Sequence, residues 1–144
     1  SMNTKSILRA RHRRARCAAF IVLAMVGCGG HADGRIDFSG PVTWKGQPVP
    51  AGFVVFNPNV AEGNIGAQGM APISNGRYDT RAKGGRPVAP GSLLVSIHGF
   101  DGVGVDEERR NGKRLFVPAE ITVKTSEDAG DVALVVPEDV EVIP

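Results

Sequence analysis

Ser74-Asn75-Gly76-Arg77-Tyr78-Asp79-Thr80 is the stretch on which the fold turns. Asn-Gly between two short β-prone runs predicts a two-residue hairpin. Both residues accept the positive φ of a type I′ turn, and that turn matches the natural twist of two antiparallel strands. Upstream, Ile65–Ile73 reads as a weak strand interrupted by Gly66 and Gly69, and Arg77–Thr80 reads as the return strand. After a Gly/Pro loop over 81–89, Pro90-Gly91 turns into Leu93–His98, where Leu93, Val95 and Ile97 fall on one face of a strand.

The pattern repeats in both directions. Ile36–Trp44 reads as a strand, Lys45-Gly46-Gln47-Pro48 as a turn, and Phe53–Phe56 as a strand stopped by Pro58. Glu120–Val123, Asp131–Val136 and Val140–Ile143 complete seven or eight strands, and residues 99–114 are a long charged loop. No segment of ten or more residues carries a 3.6-residue apolar period. Glycine at 19 and proline at 10 suit short strands joined by many turns. The prediction is a single all-β sandwich over 35–144, since 144 residues is one domain by length.

The first 34 residues differ in kind. Lys5, Arg9, Arg11, Arg13, Arg14 and Arg16 precede an apolar run of eleven residues, Cys17–Gly27. A membrane-spanning helix needs about 20 apolar residues, whereas the apolar core of a secretion signal needs roughly 7–15. The run ends in Met25-Val26-Gly27-Cys28 and resembles the bacterial lipobox, in which aliphatic and small residues precede a cysteine. That resemblance implies a signal peptide over 1–27, cleavage before Cys28, and a diacylglycerol thioether on the Cys28 thiol. Residues 28–34 then serve as lipidated cysteine and flexible tether. The expected location is outside the cytoplasm, with the lipid on Cys28 holding the chain to the cell membrane or outer membrane. With Cys17 removed and Cys28 lipidated, the mature domain has no thiol and no disulfide.

Charge follows the same division. Six of the 17 basic residues lie in 1–27 with no acid, leaving residues 28–144 with 11 basic against 15 acidic side chains. A mildly acidic domain lacks the clustered Lys and Arg that displace counterions, so a nucleic-acid partner is not expected.

Ser39-Gly40-Pro41-Val42-Thr43-Trp44-Lys45-Gly46-Gln47-Pro48-Val49 is followed in order by Gly52-Phe53-Val54-Val55-Phe56, Asn75-Gly76-Arg77-Tyr78 and Pro90-Gly91-Ser92-Leu93-Leu94-Val95-Ser96-Ile97. The series resembles the transthyretin-like, or carboxypeptidase-regulatory-like, β-sandwich, an Ig-like architecture shared by many bacterial lipoproteins. The resemblance covers about 35–136 and rests on turn and core positions. It implies a fold and little about function. One relative of that fold hydrolyses 5-hydroxyisourate with several histidines and a C-terminal Tyr-Arg-Gly-Ser, whereas residues 35–144 hold a single histidine and no such tetrapeptide.

Little else points to chemistry. His98 is the only histidine from residue 35 onward, it reads as a surface residue, and no P-loop, dinucleotide fingerprint or nucleophile elbow occurs. An enzyme, a metal site and a cofactor are therefore not expected. Asp101, Asp106, Glu107 and Glu108 share one loop with Arg109, Arg110, Lys113 and Arg114. They read as a self-neutralising loop rather than a calcium site. Trp44 and Tyr78 offer rings that stack on a sugar, or simply cover the core edge. The reading is a non-catalytic, membrane-tethered envelope lipoprotein that binds or spaces other components. Candidate contacts are Trp44, Tyr78, Asp101, Asp106, Arg109 and Arg110, and the partner is an envelope protein or a polysaccharide. Two alternatives are a carbohydrate-binding surface lipoprotein and an accessory subunit of a secretion or uptake complex docked through 99–114.

Overall fold

In the computed structural model, which describes residues 33–126 and 131–144, two tight turns set the strand pairing. Asn75 and Gly76 have φ of 50° and 77°, and Lys45 and Gly46 have 51° and 74°. Both pairs make two-residue hairpin loops of the I′ kind, one closed by Ser74 opposite Arg77 and the other by Trp44 opposite Gln47.

The strands are β1 (Ser39–Trp44), β2 (Gln47–Pro48), β3 (Ala51–Pro58), β4 (Gly69–Ser74), β5 (Arg77–Asp79), β6 (Gly91–Phe100), β7 (Ala119–Thr125) and β8 (Leu134–Val136). The one helical element among the described residues is a 3-10 turn at Val60–Glu62. Hydrogen bonds order the sheet β2-β1-β5-β4-β3-β6-β7, with β8 on β1. The domain is all-β, as expected.

β1 closes the structure by changing partners. Ser39–Pro41 pair antiparallel with β5, while Val42–Trp44 pair parallel with β8. The change curls the sheet round one core and makes the arrangement sandwich-like. Its tightest point is Gly40, where an added Cβ would stand 2.1 Å from the carbonyl oxygen of Val132. Any larger residue there would push the segment before β8 away from β1.

Alternation along the strands fills the core. Val54 and Phe56 of β3, and Leu93, Val95 and Ile97 of β6, are all fully buried. Phe38, Phe56 and Tyr78 meet edge to face and tilted, with ring centroids 5.2 to 6.1 Å apart. Every core residue falls between Ile36 and Val136.

Several boundaries differ from the sequence reading. Gln47-Pro48 is a paired strand rather than part of the turn, because Lys45-Gly46 alone reverses the chain. The strand drawn over 65–73 begins at Gly69, and Ile65 is 84% exposed in the preceding loop. Val140–Ile143 forms no strand and contributes a single bridge between Val142 and Phe116. Residues 1–27, Cys28 and most of the 28–34 tether lie outside the described residues.

The pairing gives the domain two poles. β1, β4, β6 and β8 run one way, and β3, β5 and β7 run the other. Residues 33–36 enter beside Ala89 and Pro90, near the start of β6. The 101–114 loop leaves from the far end of β6, ten residues and roughly 30 Å along the strand. That far pole also gathers the Lys45-Gly46 and Asn75-Gly76 turns and the segment from 137 to 144.

Candidate functional site

The 101–114 loop is built on the carboxylate of Asp101. Its Oδ1 accepts the backbone N–H of Val103 at 2.9 Å and of Lys113 at 3.0 Å. Backbone bonds from Asp101 to Lys113 and from Gly102 to Asn111, both 2.9 Å, fasten the two limbs. Gly112 makes the closure feasible. Its φ is +84°, and a Cβ there would stand 1.9 Å from Asp101 Oδ1. Further out, Asp106 accepts from the Arg109 guanidinium at 2.9 Å, and Glu107 from Arg110 at 3.3 Å. Arg109 and Arg110 are neutralised within the loop, as the sequence reading expected, whereas Lys113 and Arg114 pair with none of its carboxylates, and the loop is also folded into a clasp.

Between this clasp and the C-terminal segment lies an open cleft of about 520 Å³. Phe100, Val103, Val105 and Ile143 supply apolar surface, while Arg109, Lys113 and Arg114 stand round it with Asp101. Val103 and Val105 are 67% and 66% exposed. A recess of about 370 Å³ that shares Phe100, Arg109 and Gly112 with this cleft is lined also by Phe53, Glu107, Glu108 and Arg110, among others.

Of the sequence candidates, Asp101 and Arg109 share the larger cleft and Arg110 lines the smaller recess. Asp106 acts through its pairing with Arg109. Tyr78 requires correction as a contact residue. It is 0% exposed, and its hydroxyl donates to the carbonyl of Val132 at 2.7 Å, so its ring and hydroxyl are both used by the core. Burial pushes its phenol pKa far above the ordinary value. Trp44 is half-buried, 5.0 Å from the ring of Phe116 and 4.8 Å beneath the Lys45 ammonium. Its Nε1 is buried without an acceptor among the described residues. Packing, rather than a free sugar platform, accounts for its position. Cys28 lies outside the described residues.

Sequence reasoning missed the group around His98. On the outer face of the sheet, His98 stacks on Phe53 with centroids 4.3 Å apart. Arg114 lies 5.0 Å over Phe100, and its Nη1 is 3.2 Å from His98 Nδ1. A guanidinium only donates, so Nδ1 accepts and Nε2 carries the proton that Ser96 Oγ receives at 3.1 Å. Burial, and then the Arg114 charge, lower the His98 pKa. The alternation that placed His98 opposite the core was legible, but the cover from Arg114, sixteen residues on, was not. No group of three or more His, Cys, Asp or Glu placed to hold a metal occurs among the described residues.

Comparison with known protein families, with curated proteins and with solved structures finds no match to this chain.

Proposed function

We propose that the chain is a membrane-tethered lipoprotein of the bacterial envelope whose transthyretin-like domain works by binding or spacing rather than by catalysis. The observation that carries this reading is the order basic segment, eleven-residue apolar run, Met25-Val26-Gly27-Cys28. It is followed within a few residues by a domain whose core begins at Ile36. A thiol is the nucleophile that lipid transfer requires, and the acyl chains then hold the protein at ~0.8 kcal/mol per buried CH2. On this reading the tether enters at one pole and the 101–114 loop stands at the other, away from the bilayer.

The test is phase partition of the native protein in a detergent that separates on warming. The wild-type chain is expected in the detergent phase, and Cys28→Ser is expected in the aqueous phase or as uncleaved precursor. Equal partition of wild type and a cleaved Cys28→Ser would refute the anchor.

A second reading, as an accessory subunit docked through the loop, is favoured by the exposure of Val103 and Val105. Co-purification of a stoichiometric partner that is lost in Val105→Asp would promote it. Carbohydrate binding through Trp44 and Tyr78 is less favoured, since Tyr78 is enclosed in the core.

A further inference from the structure

We propose that the cleft at the far pole binds a small anionic amphiphile, a carboxylate or phosphate head on an apolar body. This deepens the reading of the domain as a binding module and stands whether or not Cys28 carries lipid.

Three features carry it. The cleft volume of about 520 Å³ lies within the range of small-ligand sites, roughly 300–1,000 Å³. Its wall is apolar where a ligand body would lie, at Phe100, Val103, Val105 and Ile143. Two of those residues are two-thirds exposed, at 67% and 66%, a state that apolar cover would relieve.

The third feature is uncompensated positive charge. Asp101 is engaged by two backbone N–H groups, and Arg109 is held by Asp106. The Lys113 ammonium has no anionic partner among the described residues. Among the described residues, the Arg114 guanidinium meets only a neutral imidazole and an aromatic face. An anion held between Lys113 and Arg114 would supply the charge that the loop withholds, while Val103 and Val105 would gain cover from the attached chain. A purely apolar ligand would leave both cations uncompensated, and a cationic one would be repelled.

The clasp explains why the site lies on this loop. Asp101 Oδ1 accepts the N–H of both Val103 and Lys113, which fixes together the two limbs that line the cleft. A prefolded site loses less conformational freedom on binding.

The experiment uses the full chain as produced in bacteria, in phosphatidylcholine nanodiscs where it carries lipid and in buffer where it does not. Octanoate carrying a diazirine is the probe, with cross-links mapped by mass spectrometry. Cross-links are expected within 100–114 and at Ile143. Octanoate and octyl phosphate should compete, whereas octyltrimethylammonium and octanol should not. Lys113→Glu should weaken labelling about tenfold or more, the scale of one charge-assisted contact. Val105→Asp should abolish labelling, and Lys124→Glu on β7 should leave it unchanged. Preferential competition by phosphate would identify the head group as phosphate, and by carboxylate as carboxylate, either within the proposal. Cross-links scattered over the domain, competition by octanol, or indifference to Lys113→Glu would overturn it. Displacement of the probe by phosphatidylglycerol in the disc would overturn the proposal, because the ligand would then be a membrane lipid rather than a small amphiphile. Because every arm reads the cleft itself, failure of the anchor proposal would not mimic failure here.

Discussion

Tyr78 donates its hydroxyl to the carbonyl oxygen of Val132 at 2.7 Å, across 54 residues of chain. The bond ties the hairpin strand β5 to the segment that leads into β8, where β1 changes partners and the sheet curls closed. Tyr78→Phe keeps the ring and removes the bond, leaving the Val132 carbonyl short of a donor. Chemical denaturation should show a loss of about 1–2 kcal/mol. Tyr78→Ala should cost about 3–5 kcal/mol by opening the aromatic core. No loss in either variant would mean that the closure does not depend on this residue.

The same tyrosine gives a spectroscopic check, because it is the only one in the chain. Burial raises its pKa in the folded protein above the ordinary 10.0. A raised folded pKa favours the protonated phenol, so this contribution to stability is complete below pH 10 and declines as pH rises above it. Tyrosinate absorbance should therefore appear only together with unfolding. Ionisation near pH 10 with the fold intact would show Tyr78 to be solvated.

His98 works in the opposite direction. Burial and Arg114 lower its pKa, so the folded state holds it neutral while the unfolded chain takes up a proton near pH 6.5. Its contribution is complete above that value and is lost as pH falls through the lowered folded pKa. Stability should decline between pH 7 and pH 5, and His98→Gln should flatten the decline. NMR titration of the ring at or above its ordinary pKa would contradict the Arg114 contact.

The loop prediction concerns Asp101 and Gly112. Arg109 and Arg110 stand exposed at the loop's tip, whereas Arg114 is drawn onto Phe100 and His98. Trypsin should cut first after Arg109 or Arg110. Asp101→Ala and Gly112→Ala should both speed that cut. The second also forces a positive φ on alanine at a cost of roughly 1–3 kcal/mol. First cleavage after Arg114 would show the clasp to be open.

Trp44→Ala should destabilise the domain by about 3 kcal/mol through lost packing on Phe116. Trp44→Phe should cost far less, because it also removes a buried N–H that has no acceptor among the described residues. Sugar-dependent quenching of Trp44 in a domain whose stability survives Trp44→Ala would favour the carbohydrate reading instead.

What was legible in the sequence was whatever local chemistry determines. Asn75-Gly76 sets a turn by its own φ preferences, and Leu93, Val95 and Ile97 share a face because strand geometry allows nothing else. Long-range pairing was not legible. Leu134–Val136 is only three residues long, and nothing within it selects a parallel seat on Val42–Trp44 over any other edge. Tyr78 read as a ring free to stack on a sugar or to cover the core edge, yet its neighbours Phe38, just before β1, and Phe56, in β3, come from segments that the local pattern does not bring together. The charged loop concealed its order for a similar reason. The spacing of Asp101 and Lys113 acquires meaning only once Gly112 turns the chain back.

The central claim, a folded domain tethered through Cys28 with its cleft at the opposite pole, is tested most directly at the N-terminus. The measurement is mass spectrometry of the N-terminal peptide of the protein extracted from bacterial membranes. The account predicts a chain that begins at Cys28 and carries a diacylglycerol thioether on that residue. An unmodified Cys28, or a mature chain beginning at any other residue, would contradict it.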